Sequence, residues 1–463
     1  MRVQNTKFVC TLGPASESTK TLEEMMRAGM DVARLNFSHG DYSHHAKLIK
    51  NIREIAKKLN IPLAIMQDLQ GPKIRIGTIS DDGIKVKKNE EIILTCGKQS
   101  GKKIPVQYKN LYKDVKKNSV LLIDDGLIEL KVKKIVNEDI ICICQNNGII
   151  NKNKGINVPN GNITTAAITA KDKKDLAFGL KHGIDYVALS FIKEAKDILN
   201  VKKIIGNRNV KVIAKIERAQ AVKNLDEIIA VADALMVARG DLAMEIGPEK
   251  VPVVQKEMIR KCNLAGKPVI TATQMLQSMI ENPQPTRAEV SDTANAIFDH
   301  TDAIMLSNET AVGKYPVKAV KVFAKVAQTV ERELKKHNQL LPTRSINDKV
   351  DYYDALGLET CQLAEATDAK NIIVITLSGK SAQYISKHKS YIPTIVITPN
   401  EKTKNQLALL WGLNEIVIGK ISEKKYLEDI KRILEKNNSV KKGQKVVILY
   451  THTKEKRIVS TTI

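Results

Sequence analysis

A chain of 463 residues, 43% of them hydrophobic, is too long for one ordinary core, and two or three domains are expected. Charged residues make up 27%, and MRVQNTKFVC at the amino terminus is no basic segment leading into an apolar one, so neither a membrane span nor export is expected, and the protein is read as soluble and cytoplasmic. The net charge of +23 is carried by dispersed lysines and aromatics are only 4%, which argues for a solvated basic surface and against a base-stacking nucleic-acid site.

In chain order, short apolar runs that stop at polar residues recur as KFVCTLG, VARLNF and LAIMQDL, separated by the helical patterns KTLEEMMRAG and HHAKLIKNIREIAKKLN. Between Leu69 and Ala170 the helical period vanishes. Short strand patterns alternate there with turns, as in IRIGTIS-DDG-IKV, SVLLIDDGLIELKVKKIV and DIICICQNNG, and predict a β-rich insertion. The series then resumes with YVALSF, KVIAKIE, ALMVARGD, PVITATQ and AIMLSNE, giving eight strand candidates whose continuous apolar character suits buried parallel strands. A helix ends near Lys336, and HNQLLPTRSINDKV reads as a linker. NIIVITLSG, PTIVITP, NEIVIG and KKGQKVVILY then alternate with helical patterns and predict a small doubly wound α/β domain. The six cysteines (Cys10, Cys96, Cys142, Cys144, Cys262 and Cys361) form no CxxC pair and are expected to be reduced thiols.

Polar chemistry gathers where the eight runs end: Arg34, Asn36, Ser38, Asp68, Lys215, Glu217, Arg239, Asp241, Thr273, Gln274, Ser307 and Glu309. In an eight-stranded β/α barrel that end is the active-site face. Glu217 and Asp241 end neighbouring runs and are candidates to hold one hard cation through oxygen, such as magnesium, which keeps its other positions for water and substrate. Lys215 lies two residues before Glu217, on the same side of its strand. An ammonium beside a divalent cation suits a developing enolate or a phosphoryl group in transfer. Gly240 permits close approach of a ligand to backbone, and Arg34 has the fork geometry for phosphoryl oxygens, with Asn36, Ser38 and His39 as further donors. His39 is given no acid/base role.

Laid end to end, KFVCTLGPAS, RLNFSHG, QDLQGPKIR, KIERAQAV, MVARGDLAMEIG, ITATQMLQSM, TRAEVSD and IMLSNETAVGKYP resemble the motifs of pyruvate kinases, in family order and over essentially the whole chain. The resemblance implies a (β/α)8 TIM barrel of residues 1–71 and 169–340, an inserted β-barrel-like lid over 72–168, and a carboxyl-terminal α/β regulatory domain over 341–463, assembled as a homotetramer. It implies transfer of a phosphoryl group from phosphoenolpyruvate to ADP, giving pyruvate and ATP, with magnesium as cofactor and manganese as a substitute. Lys215 would stabilise the moving phosphoryl group and the enolate, and Glu217 and Asp241 would hold the metal. Gly240, Asp241 and Thr273 would grip the substrate carboxylate. Arg34 would meet the phosphoryl group, while Asn36, His39, Arg75 and Lys154 face the nucleotide. Thr273, Ser307 or a relayed water would protonate the enolate.

Where much of the family has an acidic residue in its GPxIR motif, this chain has Lys73. A tethered ammonium in the monovalent-cation region of Asn36, Ser38, Asp68 and Leu69 would make potassium unnecessary. In SNETAVG and RGDLA, Asn308 and Ala243 replace smaller residues without removing a functional group. The loop Thr376, Ser378, Gly379, Lys380 and Ser381 follows a strand and opens a helix, a place where hydroxyls and amides converge on a phosphate. The resemblance assigns it to a sugar-phosphate effector, and serine capping of the helix would produce the same residues. Two other classes share parts of this pattern: a magnesium-enolate lyase on a similar barrel, and a basic nucleic-acid or phosphate-sensing protein that kept the scaffold.

Overall fold

The computed structural model describes residues 4–159, 161, 163–336, 351–451 and 456–463. The eight apolar runs become eight parallel strands: Lys7–Thr11, Met30–Asn36, Ala64–Asp68, Tyr186–Leu189, Lys211–Ile216, Ala234–Ala238, Val269–Ala272 and Ala303–Leu306. They close into one barrel, the first strand pairing with the eighth through Lys7–Ala303 to Cys10–Leu306. Most of these strands are buried along their whole length, because helices cover the outside and side chains fill the inside.

The insertion leaves the barrel after the third strand at Gly71, whose φ of +66° and a would-be Cβ only 2.9 Å from the Ser190 carbonyl demand glycine. It folds as a six-stranded mixed sheet and a two-stranded ribbon around a core of its own that includes Leu94, Leu121, Leu130 and Cys142. The barrel resumes with the helix Ala170–Lys181, started by a capping box between Thr169 and Asp172. The eighth strand leads into the long helix Pro316–Lys336; the linker read from the sequence lies outside the described residues. The last domain is a five-stranded sheet with Asn371–Ile375 at its centre. Its edge strand Arg457–Thr462 runs antiparallel and was not anticipated, since it is half exposed and lacks an apolar run. Among the described residues no helix is long and apolar enough to cross a membrane, and all six cysteines are buried as free thiols.

The carboxyl-terminal domain seals the amino-terminal end of the barrel. The turn Leu407–Leu409 places Ala408 and Leu409 among the lumen residues Val9, Met66, Tyr186 and Met236. Gln406 bonds the Asp185 and Asn209 carbonyls and accepts from the Tyr186 hydroxyl at 2.6 Å, and the buried Lys389 pairs with Asp302. Shortening this plug by Leu409→Ala is expected to cost about 2–5 kcal/mol. The loss would appear as a lower urea midpoint followed by fluorescence of Trp411, the sole tryptophan, two residues away.

Candidate active site at the carboxyl-terminal mouth of the barrel

The fifth strand delivers Lys215 as its penultimate residue and Glu217 just beyond it. Lys215 is only 9% exposed. Its Nζ lies 2.7 Å from Ser190 Oγ, 2.8 Å from Glu217 Oε1 and 3.2 Å from Asp68 Oδ1. Burial disfavours its charge, but the Asp68 and Glu217 carboxylates outweigh burial and raise the Lys215 pKa above the ordinary lysine value. Burial likewise pushes Asp68 up, and Lys215 together with Arg34 brings it below the usual carboxylate range. Lys215 and Asp68 therefore each favour the other's ionised form in a site with little water.

Arg34 approaches from the second strand, donating from Nε to Asp68 Oδ2 at 2.7 Å and from Nη1 to Thr11 Oγ1 at 2.7 Å. Asn36 sits opposite Asp68 in the strand register, and its Oδ1 accepts the Ser38 amide. The Leu69 carbonyl accepts the Ser190 hydroxyl at 2.8 Å. Lys73 reaches into this cluster from the first residues of the insertion, but its Nζ bonds Asp241 at 2.9 Å, with the Phe191 ring 5.8 Å away, so the sequence-predicted neighbours Asn36, Ser38 and Asp68 are not its partners.

Asp241 stands in the first turn of the helix Arg239–Ile246, which begins directly where the sixth strand ends. Glu217 has a raised pKa: burial is the main cause, Lys215 opposes it, and the Asp241 charge adds to it. Two carboxylates that repel across a shared space fit a divalent cation held by few protein oxygens, the pattern magnesium accepts. Among the described residues no group of three or more His, Cys, Asp or Glu is placed to hold a metal ion. Gly240 donates its amide to Thr273 Oγ1 at 3.0 Å, and a Cβ at Gly240 would meet nothing closer than 3.9 Å. Its open face is thus a place where a ligand can approach backbone. Thr273 and Gln274 both have positive φ, +68° and +55°; for a β-branched residue that is a strained conformation of the kind found at functional sites.

Sequence reasoning placed Arg239 among the polar strand ends but gave it no role, and it missed Asp292, the partner with which Arg239 holds this loop. Arg239 donates to the Ala272 and Thr273 carbonyls and pairs with Asp292 at 2.8 Å, so the motifs MVARGD and TRAEVSD meet here. Ser190 and Thr11 were missed too, single hydroxyls inside apolar runs with no periodic signal. Phe191, at φ +57°, donates its amide to Glu217 Oε2 at 2.7 Å. Behind it burial lifts Glu245 to about 7, against the pull of Arg218.

Ser307 has a buried Oγ with no partner, while its amide bonds Glu309 at 2.7 Å. The nucleotide-side candidates divide between two bodies. His39 is tied to the barrel through its carbonyl and His45. Arg75 and Lys154 belong to one paired segment of the insertion, Arg75 bonding the Asn153 carbonyl and Lys154 pairing with Asp124 at 2.9 Å. In the distant loop, Gly379 (φ +87°) donates to Thr376 Oγ1 and Ser381 meets Thr451 at 2.8 Å. Lys380 is turned onto the Tyr353 ring, 4.3 Å from its centroid, and toward Asp351.

A β/α barrel whose mouth concentrates a buried ammonium, a guanidinium and facing carboxylates beneath an inserted lid defines an enzyme of charge-stabilised group transfer. Residues 3–320 match the family model for the pyruvate kinase barrel domain, and residues 354–460 that for the pyruvate kinase alpha/beta domain. The chain belongs to the pyruvate kinase family and is a phosphotransferase. A pyruvate kinase of Clostridium acetobutylicum is 43% identical over 454 residues, covering 96% of each chain. One from Geobacillus stearothermophilus is 45% identical over 417 residues, 89% of this chain and 71% of the relative. The crystal structure of a pyruvate kinase from Cryptosporidium parvum superposes with a TM-score of 0.90 at 34% identity, covering 99% of this chain and 96% of the other.

Proposed function

We propose that the protein transfers the phosphoryl group of phosphoenolpyruvate to ADP, giving pyruvate and ATP, as the last step of glycolysis in the cytoplasm. The observation that carries this reading is the Lys215 ammonium, ionised between Asp68 and Glu217 and sharing a mouth with Asp241 and Arg34. Magnesium, or manganese in its place, would be held by Glu217 and Asp241 and would supply Lewis-acid neutralisation of the phosphoryl oxygens. Gly240, Asp241 and Thr273 bind the substrate carboxylate and fix its plane. Arg34 turns its guanidinium toward the phosphoryl group, and Lys215 holds the negative charge that grows on the enol oxygen as the P–O bond breaks. The lid brings Arg75 and Lys154 toward the nucleotide phosphates, opposite Asn36 and His39 on the barrel. The enolate then takes a proton at its methylene carbon, relayed through Thr273, Ser307 or water; the unpartnered Ser307 hydroxyl supports that placement.

The division into residues 1–71 with 169–340, 72–168 and 341–463, the homotetramer, and sugar-phosphate activation at Thr376, Ser378, Gly379, Lys380 and Ser381 belong to the same reading. Formation of ATP from ADP and phosphoenolpyruvate in a coupled assay tests it. Failure to form ATP would leave the magnesium-enolate lyase as the alternative, and salt-sensitive nucleic-acid binding without turnover would replace the reading with a binding protein.

The tethered ammonium of Lys73 would stand in for potassium from beside Asp241, the carboxylate it bonds, rather than among Asn36, Ser38 and Asp68. Rates at saturating substrate are therefore expected to be unchanged when a bulky organic cation replaces potassium, and Lys73→Gln is expected to introduce a potassium requirement. Strong potassium stimulation of the unsubstituted enzyme would remove this part of the reading.

A further inference from the structure

At the amino-terminal end of the barrel, far along the strands from the site above, a small cavity of about 80 Å³ separates the two domains. Lys211, Lys267 and Asp233 line it from the barrel, and Ser378, Gly379 and Gln406 from the carboxyl-terminal domain. Asp233 is the one carboxylate on its wall, and it is already committed: its oxygens accept Lys202 at 3.0 Å and the Val212 amide at 2.8 Å. Lys267 Nζ has only the Ala232 carbonyl, at 2.7 Å. Among the described residues the Lys211 side chain has no hydrogen-bond or ion-pair partner, so the cavity wall carries two ammonium groups against one carboxylate that Lys202, not itself on the wall, already holds. Burial lowers the Lys267 pKa; Asp233 opposes that, and Lys202 and Lys211 add to it. Positive charge in excess at a cavity of this kind is stabilised by an anion.

The opposite wall is polar as well. Gln406 is only 4% exposed, and while its Nε2 bonds two barrel carbonyls, its Oε1 accepts nothing. A buried acceptor left without a donor is costly. A ligand that is anionic yet carries one O–H satisfies both walls, the oxygens meeting Lys211 and Lys267 and the hydroxyl meeting Gln406. We infer that this cavity is an interdomain site for a protonated phosphate, either free hydrogen phosphate or the head group of a monophosphate ester.

The position gives binding a route to the active site. Lys211 opens the strand that carries Lys215 near its other end, and Pro268 precedes the strand that ends at Ala272, next to Thr273. An anion here ties the feet of both strands to the carboxyl-terminal domain and to the Ala408–Leu409 plug. The site shares only Ser378 and Gly379 with the effector loop proposed above, and it does not depend on that loop being an effector site.

Thermal unfolding of the full-length protein with inorganic phosphate, sulfate and a sugar monophosphate, at matched ionic strength and without divalent metal, tests the inference. The midpoint is expected to rise with phosphate more than with sulfate, which has no proton to donate. In Lys211→Met the apparent Kd for phosphate should weaken about tenfold, the size of one lost charge-assisted hydrogen bond. The double variant Lys211→Met/Lys267→Met should lose the rise altogether. Should the double variant not fold, Lys211→Met alone decides, because no bond is broken by it. Phosphate should also still stabilise Lys215→Met, which separates this cavity from the active site. Equal stabilisation of the parent and Lys211→Met overturns the inference. A sugar phosphate that shifts both equally while free phosphate shifts neither would leave the effector loop standing and this site refuted.

Discussion

Lys215→Met is expected to lower kcat for ATP formation by at least the roughly hundred- to thousand-fold that follows loss of one preorganised charge-stabilising donor. The ammonium is already seated, bonded by Ser190, Glu217 and Asp68 in the folded protein, so its contribution requires no reorganisation when charge develops on the enol oxygen. Methionine keeps most of the side-chain volume and removes the charge together with its N–H donors. The variant also leaves Asp68 and Glu217 buried with one positive partner fewer. Burial then raises the Glu217 pKa further and lifts that of Asp68, left with Arg34 alone, from its depressed position. A carboxylate with a raised folded pKa contributes stability that is complete below the unfolded pKa and lost as pH rises through the folded one. The stability gap between the parent and Lys215→Met should accordingly widen from acid toward neutral pH, as measured by urea midpoints across that range. Near-normal turnover, or a gap that narrows instead, would show that Lys215 is not the charge on which the site turns.

Glu217→Gln is expected to weaken binding of the divalent ion. The substitution keeps the shape but removes the charge, and Glu217 is the carboxylate whose ionisation Asp241 most directly opposes. A charged ligand should be worth at least the ~10–100-fold in metal affinity that a supporting outer partner commands. The readout is Mn²⁺ titration of the enzyme alone, followed by electron paramagnetic resonance, with the magnesium dependence of the rate as a second measure. Glutamine keeps one oxygen, which serves Lys215 or the Phe191 amide but not both, so a urea midpoint measured beside the titration separates lost metal affinity from lost stability. An unchanged Mn²⁺ affinity would remove Glu217 from the metal site.

Much of the barrel was legible because its signal is local. Buried parallel strands read as continuous apolar runs, and VARLNF, KVIAKIE and AIMLSNE each contain one with polar residues at its end. The edge strand Arg457–Thr462 escaped because a strand that is solvated and antiparallel carries no such run.

The candidate site divides the same way. Lys215 and Glu217 could be placed together because two residues on one strand share a face. Arg239 with Asp292, Ser190 with Lys215, and Lys73 with Asp241 could not, since 53, 25 and 168 residues separate them in the chain. Sequence alone determined which side chains end the strands, and with them the acids, the ammonium and the guanidinium available for chemistry. Tertiary structure decided which of those charges face one another, that Lys73 turns to Asp241, and that Ala408 and Leu409 close the barrel from below. The physical reason is that alternation and burial are properties of a single strand, whereas an ion pair depends on how eight strands are staggered when the sheet closes.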